Sequence, residues 1–302
     1  MKNAHSRRHF LQQTAVLGAA AFLPLDVFAK KSEMKLGYSA ITWGGNDAQA
    51  IQDIAALGFK GIQLRANTFG PYKAKPSELK AMLEAKNLAL PMFSSGNVEI
   101  DPAKESSTID THVAHASFVK ALGGMAFQMT NNARPKDRLP TTEELKRLAT
   151  VMNKIGQQTA DMGIQATYHN HMNQLGETPE EVDVIVQALN PKYVRLLLDV
   201  AHYHQGGGDP VRAVGQYKDI LYALHLKDTQ SPIPGNPDPK KYKFVELGQG
   251  NVNLPGVFKA LEKINFKGWG IVELDGVPDK AKTPMQCGEI SRAYLKEMKV
   301  MG

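Results

Sequence analysis

Cysteine is almost missing from this sequence: Cys287 stands alone among 302 residues. A lone thiol forms no intrachain disulfide and builds no thiolate metal cluster, so any bound metal falls to His, Asp and Glu. Aromatic residues are sparse, at 7%, and no Lys/Arg stripe interleaves with them, which removes the case for nucleic-acid binding. The apolar stretch from Ala15 to Leu25 contains Pro24 and is only 11 residues long, whereas a membrane-spanning helix needs about 20. No Gly-x-Gly-x-x-Gly turn follows the first apolar run, and no Gly-rich phosphate cradle is evident, which argues against a dinucleotide site and against phosphorylated ligands. Glycine and proline are spread along the chain rather than pooled in a linker, so a second domain is not indicated.

What is present begins with Ser6-Arg7-Arg8-His9-Phe10-Leu11, the short apolar stretch, and Val27-Phe28-Ala29 with a small residue at its end. This reads as a twin-arginine export signal over residues 1–29, cut after Ala29, with a periplasmic mature domain over 30–302. Its removal takes away three basic residues and one acid, and the formal charge falls from +6 to +4. With 42% hydrophobic residues the remainder can bury one core, and a single barrel domain uses about 250 residues.

From Lys35 onward, short apolar runs alternate with longer amphipathic ones. That is the pattern of a parallel sheet covered by helices. Strands are expected at 35–42, 60–66, 89–95, 125–130, 164–170, 193–199, 221–227 and 269–274, and eight of them point to a closed (β/α)₈ TIM barrel. Helices are expected at 47–57, 76–87, 106–122, 141–162, 178–189, 253–264 and 283–299. Thr141 and Thr178 are placed to cap two of them, the second with Pro179 at the first helical position. A sixth helical unit after Gly206-Gly207-Gly208-Asp209-Pro210 has the weakest pattern.

In such a barrel the chemistry sits at the carboxyl ends of the strands. Those ends read Tyr168-His169-Asn170-His171, Leu198-Asp199-Val200-Ala201-His202, Leu224-His225-Leu226-Lys227-Asp228 and Val272-Glu273-Leu274-Asp275. Side chains alternate across a strand, so His169 shares a face with His171, and His225 with Lys227. If these faces point inward, Asp199, His225 and Glu273 converge on one cation, with a strand-five histidine completing the set. Oxygen and imidazole ligands suit Mn²⁺, Co²⁺, Zn²⁺ or Fe²⁺. Bound to vicinal oxygens of a keto-sugar, such an ion acidifies the neighbouring C–H bond for a carboxylate or imidazole to take. His112, His115, His204 and Cys287 fall in helices or turns and read as surface or packing residues, and Met125 and Met129 as core. Trp43, directly after the first strand, is placed to wall a sugar face. Arg65, ending the second, is a weaker substrate contact.

The run Tyr168 to Met172 followed by Thr178-Pro179-Glu180-Glu181-Val182-Asp183 resembles the inosose dehydratase branch of the xylose-isomerase-like barrel superfamily. So do Leu196 to Asp199 with His202, Gly208-Asp209-Pro210, His225 to Asp228, Leu247-Gly248-Gln249-Gly250, and Gly268 to Glu273. The resemblance covers nearly all of the chain after residue 29 and is most specific from 168 to 275. It implies metal ligands at Asp199, His225 and Glu273. On strand five a histidine stands where many relatives place Glu; His171, nearer the mouth, is the expected ligand, with His169 the alternative and otherwise an acid/base group. The resemblance also implies that His202 and Lys227 lie beside the substrate, as proton-transfer groups or as contacts to its oxygens, with Glu273 both ligand and base.

The resemblance by itself implies dehydration of an inosose, a cytoplasmic step, whereas this chain reads as exported. The expected activity is therefore metal-dependent isomerisation, epimerisation or β-elimination on an unphosphorylated keto-sugar or 3-keto-glycoside. An inosose dehydratase-like hydro-lyase and a non-catalytic exported sugar-binding protein are the alternatives. Small sugars are the expected partners, with no nucleic acid and no stable membrane span; a homo-oligomer is left open.

Overall fold

The computed structural model describes residues 33–238 and 241–302, and the expected export signal lies outside them. Eight parallel strands close into a barrel: β1 (Lys35–Ser39), β2 (Gly61–Arg65), β3 (Ala89–Val98), β4 (Ala126–Asn131), β5 (Gln165–His169), β6 (Val194–Asp199), β7 (Leu221–Leu226) and β10 (Trp269–Val272). Each falls within or beside its expected segment. A hairpin of β8 (Asp228–Gln230) and β9 (Lys243–Val245) follows β7. The helices are α1 (Asp47–Ala56), α2 (Phe69–Tyr72), α3 (Pro76–Glu84), α4 (Glu105–Ala121), α5 (Thr142–Ala160), α6 (Pro179–Ala188), α7 (Val200–Gln205), α8 (Pro210–Gln216), α9 (Leu254–Lys263) and α10 (Pro284–Glu297).

Local chemistry sets where these elements start. Thr141 accepts from the Glu144 N–H while Glu144 reaches back to the Thr141 N–H, a capping box that starts α5. Thr178 caps α6, with Pro179 inside its first turn. The sixth unit is two short helices because three glycines interrupt it: a Cβ at Gly206 would stand 2.0 Å from the Glu177 carbonyl oxygen, and Gly207 has φ +91°.

The barrel is filled from below. Met92, Ala126, Leu197, Ala223, Trp269 and Ile271 form one buried cluster, which matches the inward register of alternate strand positions. A larger apolar layer joins the outer strand faces to the helices. Met129 belongs to that layer, but Met125, also expected there, is 39% exposed, because it lies one residue before β4 begins. Among the described residues, no helix is long and apolar enough to cross a membrane.

The rim after β7 is organised by one carboxylate. Buried Asp228 accepts from the N–H groups of Thr229 and Val252 through Oδ1, and from Gly248 and Gly250 through Oδ2, at 2.9–3.1 Å. These four bonds tie the 247–252 loop to the hairpin. A Cβ on Gly250 would lie 2.2 Å from Asp228 Oδ1, so the close approach requires glycine.

Candidate metal and acid–base centre

Alternate residues of the strands face the barrel axis, and at the carboxyl end they divide sharply. Ser39, Gln63, Ser94 and Gln128 come from β1 to β4; His169, Asp199, His225 and Glu273 come from β5, β6, β7 and the end of β10. The last four are buried, and one ligand atom from each lies within 4.8 Å of the others.

Asp199 shows how the cluster is aimed. Its backbone is held by Asn170, and its Oδ1 caps α7 by accepting from the Ala201 and His202 N–H groups at 2.9 and 2.8 Å. Oδ2 is buried without a hydrogen-bond partner. It lies 3.5 Å from His225 Nδ1 and 3.6 Å from His169 Nε2. His169 Nε2 and His225 Nδ1 face each other at 2.9 Å, and His225 Nδ1 is 3.3 Å from Glu273 Oε1. A buried carboxylate oxygen left without a donor is costly, and two imidazole nitrogens meeting beside two carboxylates form a donor set that suits a borderline divalent cation.

Beside this cluster lies Lys227, fully buried, with its Nζ 3.2 Å from Glu273 Oε1, 2.5 Å from Asp275 Oδ1 and 3.3 Å from His202 Nε2. The Phe244 ring of the hairpin covers it, with its centroid 4.0 Å from Nζ. Burial opposes the charge on Lys227, but Glu273, Asp275 and Asp199 outweigh it, and the ammonium is held above its usual range. Burial also opposes ionisation of Glu273; His225 and Lys227 overcome that and hold its carboxyl down at about 2. Asp199 is held low in the same way, with His202 and Lys227 foremost among its neighbours. For His169 and His202 burial wins: the former falls to about 4 and the latter well below its ordinary value. At neutral pH the site therefore carries carboxylates, one ammonium and neutral imidazoles, the protonation state in which His and Asp can ligate.

The residues singled out from sequence divide as follows. Asp199, His225, Glu273, His202 and Lys227 come together. On β5 the position is corrected: His169, not His171, reaches the ligand cluster, because His171 lies beyond the end of the strand, where the alternation no longer directs it inward. Its Nδ1 pairs with the Met172 carbonyl at 2.7 Å and its ring lies 3.8 Å from that of His202. Trp43 is not an open wall: its indole N–H donates to Asp53 at 2.7 Å, its ring meets Tyr38 edge-on, and it is 7% exposed. The aromatic face at the site is Phe244 instead, 5.0 Å from the His202 ring. Arg65 stands on the opposite rim near Asp47. His112 and His115 are buried packing residues sharing the Ser95 hydroxyl, Cys287 is buried, and His204 is half-buried.

Sequence reasoning passed over Gln63, Asn170, Asp275 and Phe244. Gln63 was detectable as a polar residue inside an apolar strand, on the same face as Arg65, and Asp275 by its two-residue spacing from Glu273. Phe244 carried no local signal.

The fold and centre have counterparts in known proteins. Residues 51–294 match the family described as xylose isomerase-like TIM barrel. An inosose dehydratase of Clostridium botulinum (strain Alaska E43 / Type E3) is 27% identical over 296 residues, spanning 88% of this chain and 97% of that protein. Among solved structures, the IolI protein with a bound zinc atom superposes with TM-score 0.73 at 19% identity, covering 88% of this chain and 98% of its own. An L-ribulose 3-epimerase superposes with TM-score 0.72 at 15% identity, covering 88% and 94%. These two share the fold. The chain belongs to the xylose isomerase-like TIM barrel family.

Proposed function

We propose that this member of the xylose isomerase-like TIM barrel family is an exported, metal-dependent hydro-lyase that eliminates water from an unphosphorylated keto-sugar or keto-cyclitol. Residues 1–29 are its export signal and 30–302 its single barrel domain.

The observation that carries this reading is the one-sided distribution of proton-handling groups. Removing a proton from carbon beside a carbonyl and expelling a β-hydroxyl asks for a base and an acid within reach of one substrate face. Epimerisation asks for two groups on opposite faces of one carbon. Among the described strand-end side chains, His202, Lys227, Glu273 and Asp275 all lie on the β6–β10 side. Facing them are Ser39, Gln63, Ser94 and Gln128, hydroxyls and amides that bind sugar oxygens without exchanging protons near neutral pH. Arg65 on that rim is permanently charged, and Asp47 accepts from Asn67 at 2.5 Å. The name shared by the curated relatives, inosose dehydratase, favours water loss over isomerisation.

His169, Asp199, His225 and Glu273 would hold one divalent ion, of the Mn²⁺, Co²⁺, Zn²⁺ or Fe²⁺ class, which when bound polarises the substrate carbonyl. The chain's own groups do the rest. Glu273, ionised and adjacent, takes the proton from the carbon next to the carbonyl. His202 or the Lys227 ammonium gives a proton to the departing hydroxyl, and Asp275 keeps Lys227 charged and in place. Phe244 shields this pair from bulk water, which strengthens both electrostatic contacts.

The test is NMR of the metal-loaded protein in D₂O with inososes, keto-sugars and 3-keto-glycosides. Loss of water, with a new enone or enol signal, is the expected result. Deuterium uptake at one carbon with no loss of water would assign isomerase or epimerase chemistry instead, and sugar binding without any reaction would assign a carrier.

A further inference from the structure

Gln63 contacts two of the four ligand-bearing residues, and its geometry leaves one consistent proton arrangement. Its Nε2 lies 3.3 Å from Glu273 Oε2, and its Oε1 lies 2.9 Å from His225 Nε2. A carboxylate only accepts hydrogen bonds, so the amide must turn its NH₂ group towards Glu273. Its carbonyl oxygen then faces His225 and only accepts, so the His225 proton must be on Nε2. Nδ1 is left with its lone pair, and Nδ1 is the nitrogen that faces Asp199 Oδ2, His169 Nε2 and Glu273 Oε1. Gln63 is 1% exposed, so water does not compete for either bond.

We propose that Gln63 is a positioning residue that locks His225 in its Nε2–H tautomer and orients Glu273, so that both present lone pairs to the same cation. The inference rests on the metal-dependent reading above. It assigns the neutral half of the barrel a task besides holding sugar oxygens: β2 sets the geometry of ligands delivered by β7 and β10. A ligating imidazole ordinarily gives its other N–H to a carboxylate, carbonyl or water. A side-chain amide has a second use here, since it is the one neutral group that accepts from His225 and donates to Glu273 at once. A carboxylate at 63 would repel Glu273, and a hydrocarbon would release both ligands.

Three proteins separate these claims: the wild type, Gln63→Met and Gln63→Glu. In ¹⁵N NMR of metal-free wild-type protein, His225 should show a protonated Nε2 and a pyridine-like Nδ1. Gln63→Met should let the proton occupy either nitrogen and weaken Zn²⁺ binding by calorimetry about 10- to 100-fold. Gln63→Glu retains the acceptor alone, so it should restore the His225 tautomer. A wild-type His225 protonated on Nδ1 would overturn the proposal without any variant, which covers the case of Gln63→Met failing to fold. Wild-type tautomer and Zn²⁺ affinity in a folded Gln63→Met would overturn it as well. If wild-type protein bound Zn²⁺ and the variant matched it, Gln63 alone would lose its role. If the wild type bound no divalent ion, the metal-dependent reading would fall, and this inference with it.

Discussion

Asn170 grips Asp199 by the backbone: the Asp199 N–H donates to Asn170 Oδ1 at 2.9 Å, and Asn170 Nδ2 donates to the Asp199 carbonyl at 3.1 Å. With Oδ1 committed to α7, Asp199 turns one unshared oxygen into the barrel. Neighbouring strand ends are thus pinned to each other before any ligand arrives, and the expectations below follow from that rigidity.

Replacing Asp199, His225 or Glu273 by Ala should strip most of the metal while the barrel stays folded, since each removes a donor from a four-residue set. Asn170→Ala leaves the carboxylate but frees its backbone, and should weaken binding about tenfold. Elemental analysis after dialysis, with circular dichroism as the fold control, decides it; full occupancy in all three ligand variants would dismiss the site.

His202 lies outside the four-residue set, against Lys227 and His171. His202→Ala should keep most of the metal and lose about 10²- to 10⁴-fold in turnover, the range for a general acid–base group. Metal loss as complete as in His225→Ala would make it a ligand, and normal turnover would reduce it to a structural residue.

Ser95, His112 and His115 form a buried chain in which His112 Nε2 also reaches the Asn97 carbonyl at 3.2 Å. Burial pushes His112 down to about 4 and His115 below its ordinary value. An unfolded histidine titrates near 6.5, so the unfolded chain binds more protons between those values. The contribution to stability is complete above about pH 6.5 and is lost as pH falls towards 4, by about 3 kcal/mol at most for His112. Urea unfolding at pH 7 and pH 4.5 should show a smaller acid loss in His112→Phe than in wild type. Equal losses would mean that the pair contributes nothing to the acid limb.

Gly250→Ala drives a methyl group against Asp228 and the Thr229 carbonyl. It should cost about 1–3 kcal/mol, and Asp228→Ala at least as much, because four N–H groups lose their acceptor. Thermal melts of both variants check this; an unchanged midpoint in either would remove Asp228 as the loop's organiser.

Export can be tested apart from the barrel. Changing Arg7 and Arg8 together to Lys should leave the protein in the cytoplasm, as measured by fractionation. An undiminished periplasmic yield would reject the twin-arginine route.

The eight barrel strands were legible in the sequence because each is a short apolar run ending in polar residues, and the helices because their caps are explicit at Thr141, Thr178 and Thr283. Convergence of Asp199, His225 and Glu273 followed from alternation along strands that share one mouth. The choice between His169 and His171 did not, because it depends on where β5 stops, and strand ends are the least determined feature of a periodic pattern. Trp43 misled for a related reason: its place after β1 was apparent, but its bond to Asp53 depends on how α1 folds back. Phe244 was invisible because it reaches the site through a hairpin about 20 residues beyond His225, and only tertiary closure brings the two together.

Lys227 and Asp228 are adjacent, yet one points into the centre and the other outward to anchor the 247–252 loop. The reacting groups and the scaffold of the covering hairpin are therefore joined at a single peptide bond but mechanically separate. A lineage could exchange the hairpin between Thr229 and Val245, and with it the shape admitted at the mouth, while the strand-borne ring stayed as it is. On this architecture, substrate preference can drift without the chemistry being rebuilt.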